Sequence, residues 1–291
     1  MQQELESKED SSLPKKKQHR KNNTEDEDIV NELKKRTAAA LVATNHSAVE
    51  EKNNAVKKKR KVVFPFGNYR NYYGYRIGEG MAEDPRLKVM RIEWFEGKDC
   101  LDIGCNSGVI TMRIAQNFRC KSILGVDIDS ERINDAHWHL RKFMREINAV
   151  KSEKIACKRD LSEVVSFRRE NILESFERQD RLYDTILCLS VTKWVQLNWG
   201  DKGLISLFCK IWKLLKQGGF LILEPQPWKS YQSNRTVSEV TSKNFHSITL
   251  QPDKFQDILL DKIGFRYVEE VTSSLLGSTL GFNRPIFLFQ K

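Results

Sequence analysis

From residue 62 onward, short apolar runs alternate with stretches whose apolar residues recur every three or four positions. DCLDIG (99–104), SILGVDID (122–129), EVVSFRREN (163–171), YDTILCLS (183–190) and FLILEP (220–225) are compact runs of the kind that form buried strands. VITMRIAQNF (109–118), SERINDAHWHLRKFMREI (130–147), KGLISLFCKIWKLLKQGG (202–219) and PDKFQDILLDKIG (252–264) carry helical spacing. The second of these helices opens on a Ser cap, the third closes on glycines and the fourth has Pro near its start. FRYVEEV (265–271) and RPIFLFQ (284–290) close the chain as two further strands. Strands that alternate with helices predict a parallel sheet covered on both faces. The last two strands have no helix between them, and antiparallel neighbours need none. The pattern therefore predicts an α/β protein with a seven-stranded, mostly parallel sheet and an antiparallel last strand.

Residues 1–61 break this texture. They are charge-dense and poor in large apolar side chains, so they cannot bury enough surface to offset chain entropy. We expect a disordered basic tail over 1–61 and one folded domain over 62–291. Within the tail, PKKKQHRK (14–21) and KKKRK (57–61) read as a nuclear localisation signal or an electrostatic arm for RNA, against the plainer reading of solvated charge. Of these the nuclear signal is favoured, which places the protein in the nucleus. The net charge of +10 points to an acidic partner, of which nucleic acid is the commonest. No apolar run approaches the ~20 residues of a membrane span, and no signal-peptide pattern opens the chain. A soluble intracellular protein without a membrane partner is expected. Of the six cysteines, none form a C-x-x-C pair, which favours buried free thiols in a reducing compartment. The histidines are scattered, and no metal is expected.

The first strand–turn–helix reads LDIGCNSGVIT, with Gly104 and Gly108 spaced G-x-x-x-G. That is not the G-x-G-x-x-G of dinucleotide enzymes, so no pyrophosphate cradle is implied. Glycines here either let backbone approach a ligand or merely make a tight turn. Asp127 ends the second strand, where a carboxylate binds ribose hydroxyls or caps the next helix. Asn171, after the third strand, reads an adenine edge or sits in a turn. Leu189, ending the fourth, packs on a cofactor or belongs to the core. Ahead of the sheet, NYRNYYGYR (68–76) interleaves four tyrosines with two arginines and has no apolar periodicity.

GNYRNYYGYR, LDIGCNSG, VDID, LCLSVTKWVQLNWGD and EPQPWKSY together resemble the RNA methylphosphate capping enzymes, a family whose type member acts on the 7SK small nuclear RNA. The resemblance covers roughly residues 64–291. It implies the class I methyltransferase fold and S-adenosylmethionine (SAM) as cofactor. It also implies methyl transfer to a phosphate oxygen at the 5′ end of a small non-coding RNA, the γ-phosphate in the 7SK type. Carried over by motif, the SAM contacts are Tyr75, Arg86, Gly104, Cys105, Asn106, Asp127, Ile128, Asn171, Ile172 and Leu189. Ribonucleoprotein components are expected as further partners. The type member has a long insertion before the third strand, and only 148–160 stand in its place here. A sister branch methylates 5′-monophosphates; the TKW triplet (192–194) is closer to the triphosphate branch.

A phosphate oxygen is already anionic near neutral pH, so its methylation needs no general base. It needs two charged reactants held in line, an effect worth ~7–11 kcal/mol. Cations and tyrosine hydroxyls meet that need. Lys193, Tyr73 and Arg76 are the candidate catalytic residues, with Lys193 as a phosphate clamp after the fourth strand. Arg70, Tyr73, Tyr75 and Arg76 form an expected lid, and Lys229, Trp194 and Trp228 are secondary candidates. Competing readings are a 2′-hydroxyl methyltransferase, with Lys193 deprotonating beside Asp184 and Glu224, and a non-catalytic RNA scaffold that retains the fold.

Overall fold

The computed structural model describes residues 63–73, 84–150, 160–174, 181–272 and 284–291. The tail over 1–61, Tyr75, Arg76 and Cys157 lie outside them. Seven strands form one sheet: β1 (Asp99–Ile103), β2 (Ser122–Asp127), β3 (Val165–Arg169), β4 (Tyr183–Leu189), β5 (Leu215–Glu224), β6 (Tyr267–Glu270) and β7 (Phe287–Gln290). Their order is β3-β2-β1-β4-β5-β7-β6. The pairs from β3 through β5 are parallel, and β7 runs antiparallel between β5 and β6.

The helices are α1 (Val109–Asn117), α2 (Ser130–Val150), the single turn α3 (Leu161–Val164), α4 (Thr192–Leu214), α5 (Trp228–Asn234) and α6 (Glu239–Ser247). Successive strand side chains point to opposite faces, and the two faces bury separate cores. Cys100, Ile123, Leu187 and Ile222 face one core with Ile114 of α1. Leu101, Leu124, Ile186 and Leu221 face the other with Leu204, Leu207 and Phe208 of α4. Truncating any of these leucines, isoleucines or Phe208 to Ala costs ~2–5 kcal/mol, because a close-packed interior collapses only partly around a cavity.

The structure departs from the expected elements in several places, among them residues 163 and 164, which belong to α3 and not to β3. The helix expected over 202–219 is α4, which begins at Thr192, bends at Gly200 (φ 65°, ψ −168°) and ends at Leu214. Residues 215–219 belong to β5, because Leu215 already pairs with Tyr183; a bulge follows before Thr185 meets Phe220. The helix expected over 252–264 is a composite of 3-10 (Pro252–Lys254), α (Phe255–Asp257) and π turns (Ile258–Ile263). Cys209 is exposed, on the solvent side of α4 opposite Phe208 and Ile211, whereas Cys100, Cys105, Cys120 and Cys188 are buried thiols. Helices α5 and α6 form unannounced after β5, the second from a Ser238–Thr241 capping box. Among the described residues, no helix is long and apolar enough to cross a membrane.

Candidate active site

In an open α/β sheet, ligands bind beyond the carboxyl ends of the strands. Here the ends of β1, β2 and β4 open into a cavity of about 270 Å³, which residues 66–73 cross on one side. Every described residue among the expected contacts lines it: Tyr73, Arg86, Gly104, Cys105, Asn106, Asp127, Ile128, Asn171, Ile172, Leu189 and Lys193.

The β1–α1 turn and the end of β2 build one half. Gly104 and Gly108 both have positive φ (72° and 74°). A Cβ on Gly104 would lie 2.4 Å from Val191 Cγ2, and one on Gly108 would lie 2.4 Å from Phe167 Cζ. The glycines therefore also make room for the protein's own side chains, and Gly104 in addition lines the cavity. Asp127 Oδ2 accepts from the Asn106 amide at 2.9 Å, and Oδ1 accepts from the Asp129 amide at 3.0 Å. Each carboxylate oxygen keeps acceptor capacity beyond that one bond. Burial raises the Asp127 pKa, against the two amide bonds that lower it. Asp102, deeper in the cavity, accepts from Thr111 Oγ1 at 2.6 Å, and burial lifts its pKa to about 6.

The N-terminal segment is pinned at both ends. Asn198 Nδ2 donates to Pro65 O at 2.9 Å, and Tyr73 Oη donates to Cys105 O at 3.4 Å. Between them the Phe66 ring stacks on Trp199, with centroids 5.9 Å apart. Gly67 sits so close to Trp194 that a Cβ there would fall 1.9 Å from the indole nitrogen. Asn68 Nδ2 donates to Asp129, and Asn68 Oδ1 is buried without a partner among the described residues. Arg70 leaves the cavity and meets Glu131 at 2.8 Å, both exposed; this corrects its expected place in the lid.

The other half is a buried polar chain. Arg86 Nε and Nη2 fork onto Asp84 at 3.0 and 2.8 Å, and Nη1 donates to Glu224 Oε2 at 3.2 Å. Burial opposes its charge, but Tyr72, Glu224 and Asp84 hold it protonated. Ser190, at φ 63°, donates to Glu224 at 2.9 Å and accepts from Arg284 Nη1 at 2.7 Å. Lys193 is 4% exposed, and its Nζ donates to Ser230 Oγ at 2.9 Å and Asn234 Oδ1 at 2.6 Å. Its ammonium also lies 4.2 Å from the Trp194 ring centroid. It has no carboxylate partner among the described residues. Burial, and then the nearby Arg284, lowers its pKa to about 7.

Three secondary candidates fall elsewhere. Asp184 is at the opposite end of β4, bonded to the Asp99 amide and to Lys216. Lys229 is exposed and outside the cavity, while Trp228 packs on Tyr231 and Phe245. The sequence reading passed over Asn68, Asp102, Gln226 and Arg284, all of which line the cavity. Arg284 had a signal: an antiparallel last strand brings its start, not its end, to the crevice.

The fit of SAM rests on the acceptors this half presents. Its ribose hydroxyls and ammonium group are donors. Asp127 offers spare lone pairs, Asp102 a carboxylate, and Asn68 an orphaned carbonyl oxygen. A seven-stranded sheet in this order, with such a crevice, defines a class I SAM-dependent methyltransferase. The chain matches the Bicoid-interacting protein 3 (Bin3) model over residues 183–291 and a methyltransferase-domain model over 101–221. It is 58% identical to the probable RNA methyltransferase At5g51130 of Arabidopsis thaliana, over 79% of this chain and 81% of that protein. It is 37% identical to the U6 snRNA methylphosphate capping enzyme Amus of Drosophila melanogaster (78% and 75% covered). The human 7SK snRNA methylphosphate capping enzyme is 35% identical, with 78% of this chain and 39% of that one covered. The chain belongs to this family, the Bin3-type RNA methylphosphate capping enzymes.

Proposed function

We propose that the protein transfers the methyl group of SAM to a terminal phosphate oxygen at the 5′ end of a small non-coding RNA, the γ-phosphate of a triphosphate end. One observation carries this reading. Lys193 is a buried lysine at the carboxyl edge of the sheet whose partners, among the described residues, are neutral. Burying an ammonium without a counter-charge is costly, and the group sheds its proton instead. An arriving phosphate supplies the missing charge, and Arg284 stands beside Lys193 as a second cation.

When bound, SAM supplies an electrophilic methyl group on a sulfonium. The acceptor oxygen is anionic on arrival, so no residue must take its proton. Lys193 and Arg284 grip the phosphate and fix its line of approach. Asp127 would hold the ribose hydroxyls, Asn171 and Ile172 the adenine, and Asp102 the ammonium group. Tyr73, whose pKa burial raises, stays a neutral hydroxyl donor. Tyr75 and Arg76, outside the described residues, keep their proposed roles beside the donor and the acceptor.

The 2′-hydroxyl alternative loses its supporting acids. Asp184 is at the far end of the sheet, and Glu224 is engaged by Arg86 and Ser190. The relatives' names and the basic runs at 14–21 and 57–61 support a nuclear site of action, with ribonucleoprotein components as partners. The test is transfer of labelled methyl to a 5′-triphosphate RNA, a 5′-monophosphate RNA and a 5′-capped RNA. Label on the terminal phosphate of the first is expected, and Lys193→Ala or Arg284→Ala should lower the rate ~10²-fold or more with SAM affinity nearly intact. Label on a 2′-oxygen, or equal loss of SAM binding in Lys193→Ala, would reject the assignment.

A further inference from the structure

Helix α2 buries Ile133 and Ala136 and packs Leu140, Phe143 and Met144 against the core. Its other side carries Glu131, Asn134, Trp138, Arg141, Lys142 and Arg145, all exposed. Spacings of three and four align these six in one stripe. Trp138 is 52% exposed, and its ring contributes nothing to the core. Lys142 Nζ lies 5.5 Å from its ring centroid. Glu146 is 3.8 Å from Lys142, an exposed pair that salt screens. Three cations beside a solvent-facing indole combine a charge track with a stacking surface, which is the chemistry of single-stranded nucleic acid binding.

Two contacts tie helix α2 to segments that border the cavity. Glu131 pairs with Arg70 of the N-terminal segment at 2.8 Å. His139 Nδ1 lies 3.0 Å from Ser107 O in the β1–α1 turn. From residue 131 to 145 the face extends ~21 Å along the helix.

We propose that this face carries the RNA downstream of its 5′ end, with a base stacked on Trp138 and phosphates on Arg141, Lys142 and Arg145. The inference rests on the reading of the substrate as RNA. It adds a second region of contact, outside the cavity, that favours long RNA over short.

The full chain is tested with two 5′-triphosphate RNAs, one a trinucleotide and one of several tens of nucleotides. Binding and methylation are both measured across a salt series. In Trp138→Ala the preference for the long RNA should shrink about tenfold, the scale of one lost stack. In the double variant Arg141→Ala, Arg145→Ala, the salt dependence for the long RNA should flatten by about 0.7 per lost contact. Wild-type preference and salt slope in both variants would overturn the proposal. So would intact RNA binding with lost capture on a polyglutamate resin, which would give the face to an acidic protein. If wild-type protein methylates neither RNA, the substrate reading fails, and long-RNA binding by the variants still decides this one.

Discussion

Lys193 holds its proton only weakly because water has been taken from it and no carboxylate replaces the water. Its folded pKa of about 7 lies below the ordinary 10.5. Between those values the unfolded chain binds more protons, so this residue makes stability rise with pH across that window. Below about pH 7 its destabilising effect is felt in full. Lys193→Met should therefore raise the melting midpoint more at about pH 6 than at about pH 9, by roughly 2–4 °C for each kcal/mol recovered. The same variant should lose methylation. A midpoint gain that ignores pH would show that the lysine stays charged in the folded protein. The lysine was legible in the sequence as a cation after the fourth strand. Its isolation was not, because Ser230 and Asn234 come from α5, a seven-residue helix too short for periodicity to reveal.

Elements with strong patterning were legible, and those built by tertiary contact were not. The central strands β1, β2 and β4 could be read because their apolar runs are buried on both faces. Helix α4 was placed too late because TKWVQLNWG mixes tryptophans with polar residues and Gly200 interrupts it. Within the Tyr- and Arg-rich segment, Arg70 turns outward to α2 while Asn68 turns in to the cavity. Between its hydrogen-bonded ends, the segment's path depends on Gly67 lying flat on Trp194. Gly67→Ala brings a methyl into the indole at positive φ (69°). We expect a stability loss of about 1–3 kcal/mol and, in calorimetry, at least tenfold weaker binding of S-adenosylhomocysteine. Unchanged binding would mean that the segment does not border the cofactor.

At the scale of the whole molecule, topology gathers residues far apart in sequence. Parallel strands bring Asp102, Asp127 and Ser190 to one edge, and the antiparallel β7 returns Arg284 to it. The sequence pattern implied that layout, but not the hydrogen-bonded chain from Asp84 through Arg86, Glu224 and Ser190 to Arg284. Ligand that binds only the folded protein stabilises it, by about 2.7 kcal/mol at a hundredfold excess over Kd. S-adenosylhomocysteine should thus raise the melting midpoint, and the gain should shrink below about pH 6. There the Asp102 carboxyl, lifted by burial, takes up a proton and no longer attracts the ligand's ammonium. In Asp102→Asn the gain should be smaller and less dependent on pH around 6. A wild-type gain that holds constant down to about pH 5 would remove Asp102 from the cofactor site.

The lysine without a counter-charge has one more effect. A terminal phosphate that has gained a methyl ester carries less negative charge than the one that entered. An ammonium whose counter-charge comes from its guest is then held less firmly in its charged state, and its grip on the guest weakens in step. Discharge of the modified end is written into the electrostatics of the pocket, without a moving part to drive it.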